Sequence, residues 1–121
     1  MNIHALVINH ADQRYDTVGD WTTPGPNTLL VHVSKCNDPR YEALIMVHEI
    51  VEAVLCSYRG ITAAEVDKFD LNYPSAAEPG DDPAAPYHKE HVVATEIERR
   101  LADELGVDWA TYERYLEELT Q

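Results

Sequence analysis

Positive charge is scarce in this chain: nine Lys and Arg residues stand against 22 Asp and Glu residues, which gives a formal net charge of −13. Proteins that bind nucleic acid through its phosphates need a basic surface, and this composition does not supply one. We therefore expect no nucleic-acid partner. A charge of this sign favours the attraction of cations or of a basic protein.

Long apolar runs are also missing. The most apolar stretch, residues 40–59, is interrupted by His48, Glu49 and Glu52, so no run reaches the roughly 18 residues that a membrane span requires. The first residues, MNIHALVINHADQRY, have neither a basic start nor a small-residue cleavage site, which argues against secretion. We therefore expect a cytoplasmic protein that does not associate with membranes.

Cysteine is rare as well. Cys36 and Cys56 lack the close spacing of a metal-binding pair, and we expect them to be buried thiols in a reducing compartment. The sequence has no internal repeat and no low-complexity segment. Its 121 residues suffice for one hydrophobic core and not for two, so we predict a single domain, 1–121.

Strand signals are concentrated in residues 1–35, which we expect to form a small mixed or antiparallel sheet. Aliphatic and β-branched residues favour strands, whereas Gly and Pro mark turns. The predicted elements are a strand at 3–9, a strand at 15–22 with a turn around Gly19-Asp20, a loop at Pro24-Gly25-Pro26, and a strand at 28–34.

The rest of the chain carries helix signals. Asp38 and Pro39 suit the N-cap and the first position of a helix, and Thr62 with Glu65 forms a capping-box pattern. The predicted elements are a central helix at 39–59 ending at Gly60, a short helix at 62–69, a long loop at 71–86, and C-terminal helices over 87–119 separated by Gly106 and Asp108. These elements predict an α+β fold, in which the sheet packs against a buried central helix and two or three helices follow.

The helix predicted at 87–105 has a mixed inner face. Its apolar stripe consists of Ala94, Ile97, Leu101 and Leu105. By helical angle Glu90 falls on this stripe, and His91 and Glu98 fall at its edge.

The central helix is apolar nearly all the way round, which is typical of a helix buried in its domain. Its centre nevertheless carries His48, Glu49 and Glu52. Unpaired buried charge costs several kcal/mol, so such groups are normally paired, protonated or bound to a metal. His48 and Glu52 are four residues apart and share one face, where both could bind one ion.

Zinc, or another divalent metal, fits this pattern. Zinc sites use His nitrogen and carboxylate oxygen, often with two ligands four residues apart on one helix. The sequence indicates His48 and Glu52 as two ligands and His91 as the third. His88, Glu98, Asp67 and Asp70 remain alternatives for the third ligand.

HEIVEA on a buried helix that follows a short sheet resembles the active-site helix of zincin-type metalloproteases. Their HExxH motif becomes HExxE here, because Glu52 replaces the second histidine. The chain also resembles small uncharacterised phage and prophage proteins. The stretches that carry this resemblance are VGDW at 18–21, RYEALIMVHEIVEAVLC at 40–56, VDKFD at 66–70 and PGDDPAAPYHKEHVVATEIERRLADELGVDW at 79–109.

The resemblance implies a minimal zincin-like, metal-dependent hydrolase with peptidase-type chemistry. His48 and Glu52 would be ligands, and Glu49 would be the general base that activates a metal-bound water. A peptide or protein would be the substrate. If residues 28–34 form the sheet edge beside the helix, they could hold it by strand addition. A phage origin would place the protein in the cytoplasm of a host cell.

Two other functions remain open. One is a non-catalytic acidic binding or inhibitor protein with a structural metal or a buried His–Glu network. The other is an all-helical carboxylate cluster for two metal ions, built from Glu49, Glu52, Glu90 and Glu98. The sequence does not indicate an oligomeric state.

Overall fold

The structure, a computed structural model, describes residues 1–73 and 78–120. Three strands form a mixed sheet in the order β1-β3-β2. They are β1 (Asn2–Ile8), β2 (Gly19–Gly25) and β3 (Thr28–Ser34). β1 runs parallel to β3, whereas β2 runs antiparallel to it. The predicted α+β class is confirmed.

Strand β3 lies in the middle of the sheet. Its residues Leu29, Val31 and Val33 are at most 2% exposed, because they face the helices while the alternate residues face the other way. Residues 28–34 therefore do not meet the condition for holding a peptide by strand addition, which is a position at the sheet edge. Both sides of β3 are paired, and the strand beside the central helix that keeps a free edge is β2.

The second strand starts later than predicted. Gly19 and Asp20 belong to β2, where they pair with Val33 and His32, and do not form a turn. The chain reverses further on, at Asn27, which has a positive φ of 57°. A glycine is needed at position 19 for packing, because a Cβ there would lie 2.7 Å from Cγ2 of Ile45 in the central helix.

Four helices follow the sheet, and their ends agree with the predicted capping residues. They are α1 (Pro39–Tyr58), α2 (Ala63–Leu71), α3 (His88–Leu105) and α4 (Trp109–Leu119). The side chains of Asp38, Thr62 and Asp108 each accept a hydrogen bond from a main-chain N–H of the first turn. Gly60 and Gly106 follow helix ends with positive φ angles of 74° and 69°.

Helix α1 is the centre of the fold, since it packs against β2 and β3 on one side and α3 on another. The buried face of α3 is more polar than predicted: Glu90, His91 and Glu98 are buried beside Ala94 and Ala102. Ile97, expected inside, is 41% exposed.

The loop predicted at 71–86 overlaps the end of α2 and contains a short 3₁₀ turn, Pro79–Asp81. Its residues 74–77 lie outside the described part of the chain. Among the residues that the structure describes, no helix has both the length and the apolarity needed to cross a membrane.

Candidate metal centre

Three buried side chains meet where α1 packs against α3. His48 and Glu52 point from one face of α1, because four residues make about one helical turn. His91 comes from the first turns of α3. Their exposures are 8%, 5% and 4%. The third candidate ligand thus reaches the pair from across the helix interface.

The three inward-facing atoms form a nearly equilateral triangle. Nε2 of His48 lies 3.2 Å from Oε2 of Glu52 and 3.2 Å from Nδ1 of His91. The third side, from Nδ1 of His91 to Oε2 of Glu52, is 2.9 Å. Ligands of a tetrahedral zinc ion at 2.0–2.1 Å are themselves about 3.3 Å apart. The cluster of His48, Glu52 and His91 could therefore hold a metal ion.

The outward-facing atom of each candidate ligand also has a partner. Metal-binding groups in proteins are oriented in this way by hydrogen bonds on the side away from the ion. The pairs are His48 Nδ1 with Glu98 Oε1 at 2.7 Å, His91 Nε2 with Asp81 Oδ1 at 3.1 Å, and Glu52 Oε1 with Trp21 Nε1 at 3.1 Å.

These outer contacts determine which imidazole nitrogens carry a proton and which point a lone pair at the centre. If Nδ1–H of His48 donates to Glu98 and Nε2–H of His91 donates to Asp81, the remaining imidazole nitrogens are acceptors. Both then point at Oε2 of Glu52, which is also an acceptor. Three acceptors at this distance repel one another unless protons or a cation lie among them.

The pKa shifts show the same preference for positive charge. Burial would lower the pKa of His48, but hydrogen bonds with Glu52 and Glu98 raise it well above its ordinary value. For His91, burial is likewise outweighed by Glu52, so its pKa is raised. Although burial opposes ionisation of Glu52, hydrogen bonds from both imidazoles hold its pKa at about 2.

Glu49 lies next to the three candidate ligands. Its Oε2 is 3.8 Å from Nε2 of His48. No hydrogen bond from another described residue reaches its carboxylate, although the residue is only 9% exposed. Burial, together with repulsion from Glu52, raises the pKa of Glu49 well above its usual range. This carboxylate is therefore available to a ligand or a water molecule in a cavity that it lines.

Two glycines leave room for the side chains of the centre. A Cβ at Gly19 would lie 2.8 Å from Cγ of Glu49. A Cβ at Gly80 would lie 2.5 Å from both Cγ and Nδ1 of His91. The main chain of β2 therefore lies against Glu49, and the main chain of the 3₁₀ turn lies against His91. Neither position has room for a side chain.

A cavity of about 770 Å³ opens in front of the centre. Its wall includes Glu49, the β2 residue Trp21, and an acidic patch around Asp70, which accepts hydrogen bonds from Tyr15 and Tyr87. This volume lies within the range of small-ligand and peptide side-chain sites. The three candidate ligands and Glu49 thus line one cavity.

The alternatives considered for the third ligand lie elsewhere. Three of them bond to groups outside the cluster of His48, Glu52 and His91. The fourth, Glu98, contacts the outer nitrogen of His48, which points away from the other two ligands. His88 bonds to the carbonyl of Gly80, Glu98 lies behind His48, Asp67 pairs with Arg14, and Asp70 with the two tyrosines.

The all-helical cluster for two metals does not assemble in the described residues. Glu90 is 2.7 Å from Nη1 of Arg59 and does not join Glu49 and Glu52. The strands before residue 35 are also present. The structure instead adds residues that the sequence reasoning did not identify, Trp21, Asp81, Gly19 and Gly80 among them. All four lie in the stretches VGDW and PGDD. Nothing in the order of residues within these stretches predicts that they contact α1 or α3.

Comparison of the chain with protein-family models, with curated proteins and with solved structures finds no match. The resemblance to zincins and to phage proteins therefore stays an expectation based on the stretches quoted above.

Proposed function

We propose that this protein is a metal-dependent hydrolase of zincin-like type, with zinc held by His48, Glu52 and His91. One observation carries the proposal. Three acceptor atoms converge at 2.9–3.2 Å with their outer atoms held by hydrogen bonds. Beside them lies the carboxylate of Glu49, to which none of the described residues donates a hydrogen bond. Two imidazoles and a carboxylate are a donor set that suits zinc.

The number of ligands favours catalysis over a purely structural metal. Structural zinc sites are closed by four protein ligands, whereas catalytic sites use three and keep one position for water or substrate. In the part of the chain that the structure describes, the cluster offers three ligand atoms. The three side chains line the same cavity as Glu49.

Zinc, when bound, lowers the pKa of a coordinated water and polarises a substrate carbonyl. The protein's own part is proton transfer and orientation. Glu49, through an oxygen 3.8 Å from Nε2 of His48, takes a proton from the attacking water and passes it to the leaving amine. Glu98 and Asp81 hold the two imidazoles in the tautomers that leave the inner nitrogens unprotonated.

An extended peptide fits the edge of β2. Val18 O accepts from Ser34 N, so the even-numbered residues of this antiparallel pair face β3 and the main-chain groups of Trp21 face away from it. Trp21 also lines the cavity, and its indole N–H contacts Glu52. Strand addition at β2, and not at β3, would align a peptide beside Glu49.

The deciding experiment combines metal analysis, thermal unfolding and hydrolysis. Purified protein should contain about one zinc per chain, a chelator should lower its Tm, and a panel of peptides and denatured proteins should be cleaved. Glu49→Gln should keep the zinc and lose at least about 100-fold in rate, since general-base catalysis contributes that much. Glu104→Gln, an exposed site on α3, is the matched control.

Each alternative outcome has a definite meaning. Protein without zinc, and with a Tm that a chelator does not change, would reject the metal centre and the hydrolase together. Full activity of Glu49→Gln would reject the assignment of the base. Bound zinc without hydrolysis of any substrate would favour the other function considered above, an acidic binding protein stabilised by a metal.

A further inference from the structure

The two edges of the sheet differ in how they are protected. Natural edge strands avoid pairing with other chains by carrying proline, charge or a bulge. β2 has two of them, both in its second half, Pro24 and the irregular register between Thr22 and Gly25, whereas its first half, which includes Trp21, is regular. β1, the other edge, has none of them: it reads NIHALVI and keeps regular register with β3 along its whole length.

The main-chain groups of β1 that face outward can be identified from those that face β3. Asn2 N donates to Asn27 O, and Ile8 O accepts from Lys35 N. In a parallel pair the N–H and C=O of one residue point to the same side, and this side alternates along the strand. The N–H and C=O groups of Ile3, Ala5 and Val7 therefore point away from the sheet.

The side chains of β1 are also uncovered. Ile3 and Val7 are each 44% exposed, although they share a face with the buried residues of β3. Leu6, on the opposite face, is 51% exposed. Helix α1 packs on β3 and β2. On the inner face of β1, Ala5 is partly buried against the core, whereas Ile3 and Val7 stay exposed. An edge strand with free main-chain groups and apolar side chains on both faces is typical of a pairing surface.

Charge identifies the kind of partner. Positions 1–11 contain no Asp, Glu, Lys or Arg, in a chain whose net charge is −13. A basic partner would be attracted to the acidic surfaces and not to this neutral strip. A second copy of the chain, repelled from most of the molecule, meets no like charge along β1.

We propose that β1 pairs antiparallel with β1 of a second copy, across a two-fold axis at Ala5. This register brings together the outward-facing residues, Ile3 with Val7 of the second copy and Ala5 with its equivalent, and each pair exchanges two hydrogen bonds. Ile3 and Val7 cover each other on the face shared with the core. The interface is isologous and yields a continuous six-stranded sheet.

Sedimentation velocity over a range of concentrations tests the dimer. A strand pair buries less than the roughly 1,200 Å² of stable complexes, so the series should extend to about 1 mM. Val7→Lys should be monomeric throughout, because the pairing would bury its ammonium. Val92→Lys, the same change at a 38% exposed valine on α3, should dimerise like the wild type. A wild type that stays monomeric at every concentration overturns the proposal, as does a Val7→Lys variant that dimerises.

Two further variants separate pairing from folding and determine the register. Ala5→Pro removes an N–H that bonds to none of the described residues, so circular dichroism should show a folded protein that no longer dimerises. Ala5→Cys should form an intermolecular disulfide under mild oxidation faster than Leu6→Cys, because only position 5 faces its own equivalent. Equal rates for the two cysteines would overturn the register centred on Ala5.

Zinc content and hydrolysis are not measured in any of these experiments. The dimer can therefore be confirmed or rejected independently of the proposed activity.

Discussion

Oε1 of Glu98 lies 2.7 Å from Nδ1 of His48, and this contact joins α3 to the helix that carries two of the candidate ligands. The other oxygen of Glu98 accepts a hydrogen bond from Tyr112 of α4 at 2.6 Å. All three side chains are buried. A carboxylate behind a metal-binding imidazole fixes its tautomer and increases its basicity. The contact therefore connects α4 to the centre although α4 supplies no ligand.

Glu98→Gln should weaken zinc binding while leaving the fold intact. The amide keeps nearly the same shape but loses the charge that makes the His48 imidazole a better donor, and changes of this kind cost about 10–100-fold in metal affinity. Competition titration against a chromogenic chelator measures the effect. Glu104→Gln, whose carboxylate is 63% exposed and pairs with Arg100, is the control. Equal affinities in the two variants would contradict the role assigned to Glu98.

Gly80→Ala should weaken metal binding by displacing His91. The added methyl group would lie 2.5 Å from two atoms of the imidazole, so the ring or the 3₁₀ turn must move. We expect a loss of at least about tenfold in zinc affinity, since ligand geometry tolerates little displacement. Gly25→Ala meets nothing within 4 Å and should bind zinc like the wild type. The same titration checks both variants, and unchanged affinity in Gly80→Ala would show that the ring is not held there.

Local signals in the sequence were sufficient for the helices. Asp38 caps α1 and Thr62 pairs with Glu65 at the start of α2, because capping depends on residues within one turn of each other. The strand predicted at 28–34 likewise has the bounds of β3, Thr28–Ser34. The turn predicted at Gly19-Asp20 was wrong for a physical reason that is not local: Gly19 accommodates Ile45 and Glu49 of α1.

The candidate site was predictable only where its residues lie close in sequence. His48, Glu49 and Glu52 stand out because three ionisable groups interrupt an apolar helix. His91 was one of several candidates, because the packing of α3 on α1 decides which residue meets that pair. Helical periodicity placed Ile97 inside, whereas α3 turns its polar face inward, where Glu98 meets His48 and Tyr112. The contact between Asp81 and His91 could not be predicted from the sequence, since no residue near Asp81 indicates that it lies beside an imidazole.

Asp70→Asn should stabilise the protein at neutral pH and not at acidic pH. Burial raises the pKa of Asp70 to about 6, and hydrogen bonds from Tyr87 and Tyr15 offset this only in part. The folded state therefore binds more protons than the unfolded state between about pH 4 and 6, and the contribution of Asp70 to stability falls as the pH rises through that window. Allowing for solvent screening, we expect the variant to gain about 1–2 kcal/mol at pH 7.

Thermal unfolding at pH 4 and pH 7 measures this effect as the difference between variant and wild type, in which the other groups cancel. Asp103→Asn, at an exposed position of α3, is the control and should show the same small difference at both values. A gain for Asp70→Asn that is as large at pH 4 as at pH 7 would contradict the assignment to this carboxyl group.

Arg59→Ala should destabilise the protein through Glu90 and should not change its affinity for zinc. Glu90 is only 5% exposed in its side chain and lies 2.7 Å from Nη1 of Arg59, so the substitution leaves a buried carboxylate without its partner. Because Arg59 itself is 43% exposed, we expect a loss of about 1–3 kcal/mol in the free energy of unfolding. Adding Glu90→Gln should restore most of the lost free energy of unfolding, since burying an amide is less unfavourable than burying an unpaired charge.

The control is Arg100→Ala, which breaks an exposed ion pair with Glu104 and should lower the free energy of unfolding by at most about 0.5 kcal/mol. Zinc affinity should be the same in all of these variants, and a loss in Glu90→Gln would instead make Glu90 part of the metal centre.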